Sequence, residues 1–424
     1  MSNLYSQSPV LLLYHHPRRQ DAATIMDHVK SFKRYSEYPV VAINVANLFP
    51  KALKILKFSS IILHYSLFGS HPFALTKKFI EYCATSSAKK IFFFQDEHQY
   101  IEKRRTILKL IKADIIFTLL DDKYHKVIYE NSSPTSLIYQ TLTGYVSDNL
   151  VVESSPYFIP FDERPIDVGY RARDLPYYLG KGAREKSEIA RLFTEKAAHT
   201  KLRLNISTKE SDRIYGSDWY HFLGSCRFTL GVMAGTSIFD ETDLAKTLTN
   251  KYLSLNPNAT FSDVFDKVLK PFDGVINYRT ISPRLFECAV LKSCMILFRD
   301  DYQGILQADI HYIPLEKDFS NIAEVFSKMA DKEYVHTLLE NAFTELVLSR
   351  KWSFSSFVSD FDTKLSALNP KRVPAFPGIV SYEKLVAQDK LCRRIYLNLL
   401  LFINRCRYKL YLPLNRMFRS KGCS

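Results

Sequence analysis

The stretch KIFFFQDEHQYIEKRRTILKLIKADIIFTLL, residues 90–120, decides the fold. Two of its runs, KIFFFQ (90–95) and DIIFTLL (114–120), are continuously apolar, and a helical pattern separates them. A strand with one wet face alternates apolar and polar residues. A continuous run has both faces covered, as in a parallel sheet flanked by helices. The same unit recurs outward in VLLLY (10–14), PVVAINV (39–45), SIILHY (60–65) and SLIYQTL (136–142). In DAATIMDHVKSFKRY (21–35), Ala22, Ile25, Met26, Val29 and Phe32 fall at helical spacing behind an Asp suited to capping, which predicts a crossover helix.

The polar, proline-containing stretch VSDNLVVESSPYFIPFDERP (146–165) interrupts this pattern. The alternation then restarts with IDVGY (166–170), KLRLNI (201–206), CRFTLGVM (226–233), CMILF (294–298) and DIHYIPL (309–315). A chain of 424 residues suits two domains and an appendage. The expected architecture is α/β: two doubly wound Rossmann-like domains facing a cleft, residues 1–155 and 156–367, followed by a linker and tail over 368–424. The linker LNPKRVPAFPG (368–378) carries three prolines.

Hydrophobic residues make up 46% of the chain and charged residues 24%, which excludes a disordered or low-complexity protein. The net charge of +14 calls for an anionic partner. Lys390–Ser424 holds nine Lys or Arg and no Asp or Glu, so the tail is the basic element and the rest is only mildly basic. The apolar core of that tail, IYLNLLLFI, has nine residues, against ~20 needed to cross a bilayer. The tail is therefore expected to lie as a basic amphipathic segment on an anionic membrane surface, or else to pack as a terminal helix on the first domain. No nucleic-acid reader motif is present, and no nucleic-acid partner is expected. Seven scattered cysteines without a C-x-x-C pair read as reduced thiols, with neither a disulfide frame nor a zinc site. The first apolar run is short and precedes the basic residues, unlike a secretory signal, so a cytoplasmic location, peripheral to the membrane, is expected.

Ligands of open α/β sheets bind beyond the carboxyl ends of the strands. Four places carry suitable residues. In RPIDVGYRARDLPYYLGKGAREK (164–186), Arg171, Arg173 and Lys181 follow a strand as phosphate ligands, or as a solvated basic loop. In SCRFTLGVMAGTSIFDETD (225–243), Gly235, Thr236 and Ser237 suit a diphosphate or sugar, or form a mere turn. In ISPRLFECAVLKSCMILF (281–298), Ser282 is a cap and Pro283 a first-turn residue; Arg284 would meet an anion and Glu287 a ribose, unless Glu287 only pairs with Arg284. On the other side of the cleft, YHHPRR (14–19), HYS (64–66) and QDEHQY (95–100) offer His15, His16, His64, Asp96 and Glu97 as general-base candidates, with Asp96 ranked first, or as caps and loop anchors.

Together, RPIDVGYRARDLPYYLG, DWYHFLGSCRFTLGVMAGTSIFD, ISPRLFECAVLKSCMI, HYSLF and FFFQDEHQY resemble bacterial GT-B fold glycosyltransferases of the surface-polysaccharide group, over roughly residues 10–360. The resemblance implies a nucleotide-sugar donor held by the second domain and an acceptor, such as a lipid-linked glycan of capsule or lipopolysaccharide assembly, held by the first. It implies Glu287 on the donor ribose, and Arg284, Arg171 and Arg173 on the diphosphate leaving group, where fixed cations act on developing charge. It implies neither a metal nor another cofactor, and no D-x-D motif is evident. The chain departs from the pattern at Arg279, where the first of two glutamates eight positions apart would stand, at Lys292-Ser293 in place of a glycine, and at Met233 in place of an acid. Two alternatives stay open: a polyol-phosphate transferase of the same fold, and a non-catalytic binding subunit.

Overall fold

The computed structural model describes residues 8–16, 23–46, 49–69 and 72–371, with positions 384, 387, 388, 391 and 395. The basic tail, and the linker beyond residue 371, otherwise lie outside the described residues.

Six of the apolar runs form one parallel sheet: β1 (Val10–Tyr14), β2 (Val40–Asn44), β3 (Ser60–Leu63), β4 (Lys89–Phe93), β5 (Ile115–Thr118) and β6 (Leu137–Gln140). Their spatial order is β2-β1-β3-β4-β5-β6, with Val10 of β1 in register with Val40 and Ser60. Both faces are covered, as the unbroken runs demand: Leu11 and Leu13 enter one core, Val10 and Leu12 the other. The helix Ala23–Tyr35 follows β1 as expected and contributes Val29 and Phe32 to the second of these cores.

The second half builds β7 (Ile166–Arg171), β8 (Leu204–Ser207) and β9 (Cys226–Gly231), then a separate antiparallel pair, β10 (Ala234–Thr236) with β11 (Tyr278–Thr280), then β12 (Cys294–Phe298) and β13 (Tyr312–Leu315). β7, β8, β9, β12 and β13 form a parallel sheet of order β13-β12-β9-β7-β8. The chain thus builds two Rossmann-like α/β domains, each on a parallel sheet. All eleven parallel strands lie on the apolar runs of the sequence.

Two features were not legible. The connection from β10 to β11 is a helical insertion with a small core of its own, Ile238, Ala245, Val264 and Leu269. The last described helix, Phe354–Ala367, falls within the stretch assigned to the second domain, 156–367, but packs on the first. Phe354, Phe357, Val358, Phe361 and Leu365 recur at helical spacing and close the face of the first sheet formed by Val10, Leu12, Ile62 and Phe93. Burying each such Phe contributes about 1.5–3 kcal/mol. Asp362 fixes the register of this return by accepting from Ser36 Oγ (2.8 Å) and the Glu37 amide (2.7 Å).

The domains share a closed seam. Phe239, Ile276 and Tyr278 of the second half join the core of the first sheet. Gly144 approaches the start of the helix Pro283–Val290 so closely that a Cβ there would stand 2.8 Å from Pro283 Cγ.

Candidate active site

The helix Pro283–Val290 follows β11 and ends just before β12, with Ser282 as its N-cap. Proline at the first position presets the turn and removes an amide that would have no partner; the Leu285 amide bonds the Ser282 carbonyl at 3.0 Å, and the amides of Ser282 and Arg284 precede it. They open into a cavity of about 370 Å3 lined from the second domain by Arg171, Arg173, Trp219, Ser282, Arg284 and Glu287, and from the first by Thr24. A second chamber of about 250 Å3 continues from it, past Arg173 and Arg284, to Lys186 and the end of β9 at Gly231.

One wall is aromatic. Trp219 donates from Nε1 to Glu287 Oε2 at 2.7 Å, and its ring lies 4.8 Å from the Arg284 guanidinium, which also faces Tyr170. Burial raises the Glu287 pKa, while the Trp219 hydrogen bond and the Arg284 charge oppose that rise. One carboxylate oxygen is thus engaged and the other is left to face the cavity. Tyr215, Ile214 and Tyr220 extend the wall to a width that suits a planar ring.

The lining is also cationic. Arg173, Lys186 and Arg284 make no ion pair among the described residues, yet they converge on the adjoining chambers. Burial, helped by Arg284 and Arg279, lowers the Lys186 pKa to about 8, against the pull of Asp96 across the cleft. Mutually repelling cations with no carboxylate at ion-pair distance among the described residues suit an anion. Lys186 carries a sequence signal that was not read: it lies on the buried stripe Gly182, Ala183, Ile189, Ala190 of the helix Gly180–Ala197, where a lysine has no packing purpose.

Other expected ligands do not reach the cavity. Arg171 lines it, but its guanidinium is spent on the carbonyl oxygens of Tyr170, Asn205 and Asp212 and on Asn205 Oδ1, 2.7–3.1 Å away, so it braces β7 to β8 rather than binding a phosphate. Lys181 points into the insertion, with its Nζ 4.1 Å from the Phe265 ring and its amide on Asp273. Gly235 and Thr236 lie in β10, paired with β11, and Ser237 follows it; all three are engaged within the fold. Gly235 has φ +85°, and a Cβ there would stand 2.0 Å from the Tyr278 carbonyl oxygen; Thr236 Oγ1 donates to the Ile238 carbonyl, and Ser237 Oγ donates to Asp273 while accepting from the Gly182 amide. Arg279, where the resemblance would place an acid, is paired with Glu185 at 2.5 Å and Asp300 at 3.6 Å.

On the first domain, Asp96 is the candidate whose side chain is not held inside the fold. It is exposed, sits in the left-handed region at φ +52°, and acts electrostatically on Lys186. Fully buried Arg104 holds that loop by donating to the carbonyl oxygens of Phe68, Asp96 and Gln99. Glu97 faces inward instead. Its carboxylate accepts from Thr118 Oγ1 (2.5 Å), the Leu119 amide (3.1 Å), Tyr129 and, across the domain seam, Tyr278 (3.1 Å). His64 is buried against His28, nitrogen to nitrogen at 2.9 Å, with both pKa values pushed far down by burial. His15 and His16 close β1 through their amides, on Ser66 Oγ and Asn44 Oδ1. Asp27 was missed. It stands beside Glu287 in a narrow gap between the domains, and burial raises its pKa.

No family model matches the chain, and no curated protein matches it. Solved structures do resemble its backbone. The Anabaena protein HepE in complex with UDP-glucose is 9% identical with a TM-score of 0.45, over 85% of this chain and 100% of its own. An alpha-glucosyltransferase in complex with UDP-glucose and DNA containing an abasic site is 10% identical with a TM-score of 0.49, over 84% and 98%. Sucrose-phosphate synthase from Thermosynechococcus elongatus is 8% identical with a TM-score of 0.43, over 85% and 99%.

Proposed function

We propose that the protein transfers a glycosyl group from a nucleotide-sugar donor to an acceptor glycan. The observation that carries this reading is the meeting, in two adjoining chambers, of three cations without an ion pair among the described residues, a helix N-terminus and a half-engaged carboxylate beside aromatic rings. The diphosphate takes the amides of Ser282 and Arg284 with the side chains of Arg173, Arg284 and Lys186; the ribose hydroxyls donate to Glu287; the base lies along Trp219 and Tyr215. As the glycosidic bond to the leaving phosphate breaks, negative charge gathers on the diphosphate, and the three fixed cations stabilise it more than they stabilise the ground state. That role needs no divalent metal, and activity should persist in EDTA.

We assign to Asp96, exposed on the first domain and acting electrostatically on Lys186, the proton of the incoming acceptor hydroxyl. Asp96→Asn should lower kcat about 100-fold or more while leaving the donor Kd unchanged. We assign the acceptor to a lipid-linked glycan of surface-polysaccharide assembly, on the resemblance of the motifs.

The test is a calorimetric and thermal-shift screen of wild type and Glu287→Ala against UDP-, GDP-, CMP- and dTDP-sugars. Stabilisation by one nucleotide class, abolished by the substitution, is the expected result, because a ligand stabilises only the form that binds it. Binding to none of them would overturn the reading.

A further inference from the structure

The first domain carries a cavity of about 670 Å3 that shares no lining residue with the donor cavity. It lies between the turn Lys51–Lys54 and the helix Lys77–Thr85, along the flank of the sheet from Phe49, beyond β2, to Ser86 and Ser87, just before β4. Its floor is apolar, built by Phe49, Leu53, Leu56 and Phe58 with the edge of Tyr82. Its rim is basic: Lys51, Lys54, Lys57 and Lys78. The one lining carboxylate, Glu81, faces Lys77 at 3.8 Å, and among the described residues no carboxylate pairs with Lys54, Lys57 or Lys78. Between Lys54 and Lys57, Ile55 stands 80% exposed.

Packing does not explain this combination. The lysines repel one another, and an isoleucine held out between them keeps its apolar surface in water. Both unfavourable contributions reverse against a surface that presents phosphate over hydrocarbon. A nucleic acid would neutralise the lysines, but it would leave Ile55 and the apolar floor without a partner.

We propose that this face docks on an anionic lipid bilayer, with headgroup phosphates at Lys54, Lys57 and Lys78 and Ile55 inserted at the acyl boundary. The surface is separate from the donor cavity and from the basic tail, and the proposal holds whether or not the protein transfers sugars.

The experiment uses the full chain, with its tail, on phosphatidylcholine vesicles with and without phosphatidylglycerol. Reversing three charges in Lys54→Glu, Lys57→Glu, Lys78→Glu should lower partitioning onto the anionic vesicles by about tenfold or more with the thermal midpoint unchanged, since each lysine near such a surface contributes separately. In a second variant, Ile55→Trp, the fluorescence added over wild type should shift to the blue on anionic vesicles and stay put on neutral ones. Partitioning untouched by the charge reversal, with the new indole remaining in water, would overturn the proposal. So would binding to DNA that the reversal abolishes while vesicle binding is unaffected.

Discussion

Trp219 and Glu287 are joined across 2.7 Å by a hydrogen bond from indole to carboxylate, in a cavity that Arg173 and Arg284 also line. Trp219 opens the second domain's helix Ser217–Gly224, and Glu287 lies 68 positions further on in the sequence. The bond orients the carboxylate, leaving its second oxygen for a ligand. Trp219→Phe keeps the ring and removes the donor. A hydrogen bond to a charged group contributes about 1.5–3 kcal/mol, so nucleoside diphosphate affinity measured by calorimetry should fall roughly ten- to a hundredfold. Trp219→Phe and Glu287→Gln combined should cost less than the sum of the two single changes, because both act through one bond.

Lys186 makes donor binding depend on pH. With its pKa lowered to about 8, the free protein loses this positive charge as pH rises through 8, whereas a bound diphosphate favours the ammonium form. Affinity should therefore fall above pH 8, by up to about tenfold per unit, and binding near pH 8.5 should take up a proton. Calorimetry in buffers of different ionisation enthalpy measures that uptake directly. Lys186→Arg should abolish it, because guanidinium keeps its charge throughout this range.

Glu97 is predicted to matter for stability and not for donor binding. Glu97→Ala strands the Thr118 hydroxyl, the Leu119 amide and the hydroxyls of Tyr129 and Tyr278 in a water-free seam, next to the buried charge of Arg104. The loss should be about 3 kcal/mol or more in urea unfolding, with Glu97→Gln milder. An unchanged stability would remove Glu97 from the domain seam.

The His28–His64 pair predicts acid sensitivity. Ser66 donates its amide to His64 Nδ1, so His64 carries its proton on Nε2 and donates to His28 Nδ1. Both rings are neutral in the fold: burial lowers the His28 pKa to about 3, and burial with the neighbouring ring lowers that of His64 well below its usual value. The unfolded chain takes protons near pH 6.5 and the folded chain does not. The resulting stability is fully present above pH 6.5 and is lost as pH falls from there toward 3, at up to about 1.4 kcal/mol per unit for each ring. Urea unfolding between pH 7.5 and 5 measures the slope. His64→Gln, which cannot take a proton, should reduce it by about half.

Local sequence sufficed for the sheets. Runs such as KIFFFQ and CMILF are apolar on both faces, and only a strand covered on both sides removes all that surface from water, so the covered strands followed from pattern alone, whereas the edge strands β6 and β8 are partly exposed. The helix opening at Ser282-Pro283 was equally legible, because capping and first-turn chemistry are local. Tertiary structure decided which polar side chains reach the cavity. Arg171 and Arg173 are two residues apart and read alike, but the carbonyls of β8 and its following loop hold the first, and the second makes no ion pair among the described residues. Asp96 and Glu97 are adjacent, and a left-handed backbone turns one to the cleft and the other into the seam. Lys186 gained its role from arginines distant in sequence, and the helix at Phe354 chose the first domain because the open apolar face was there. A strand or a cap is fixed by neighbours within a few residues, whereas the partner of a charge and the face a helix covers depend on groups that only the folded chain brings together.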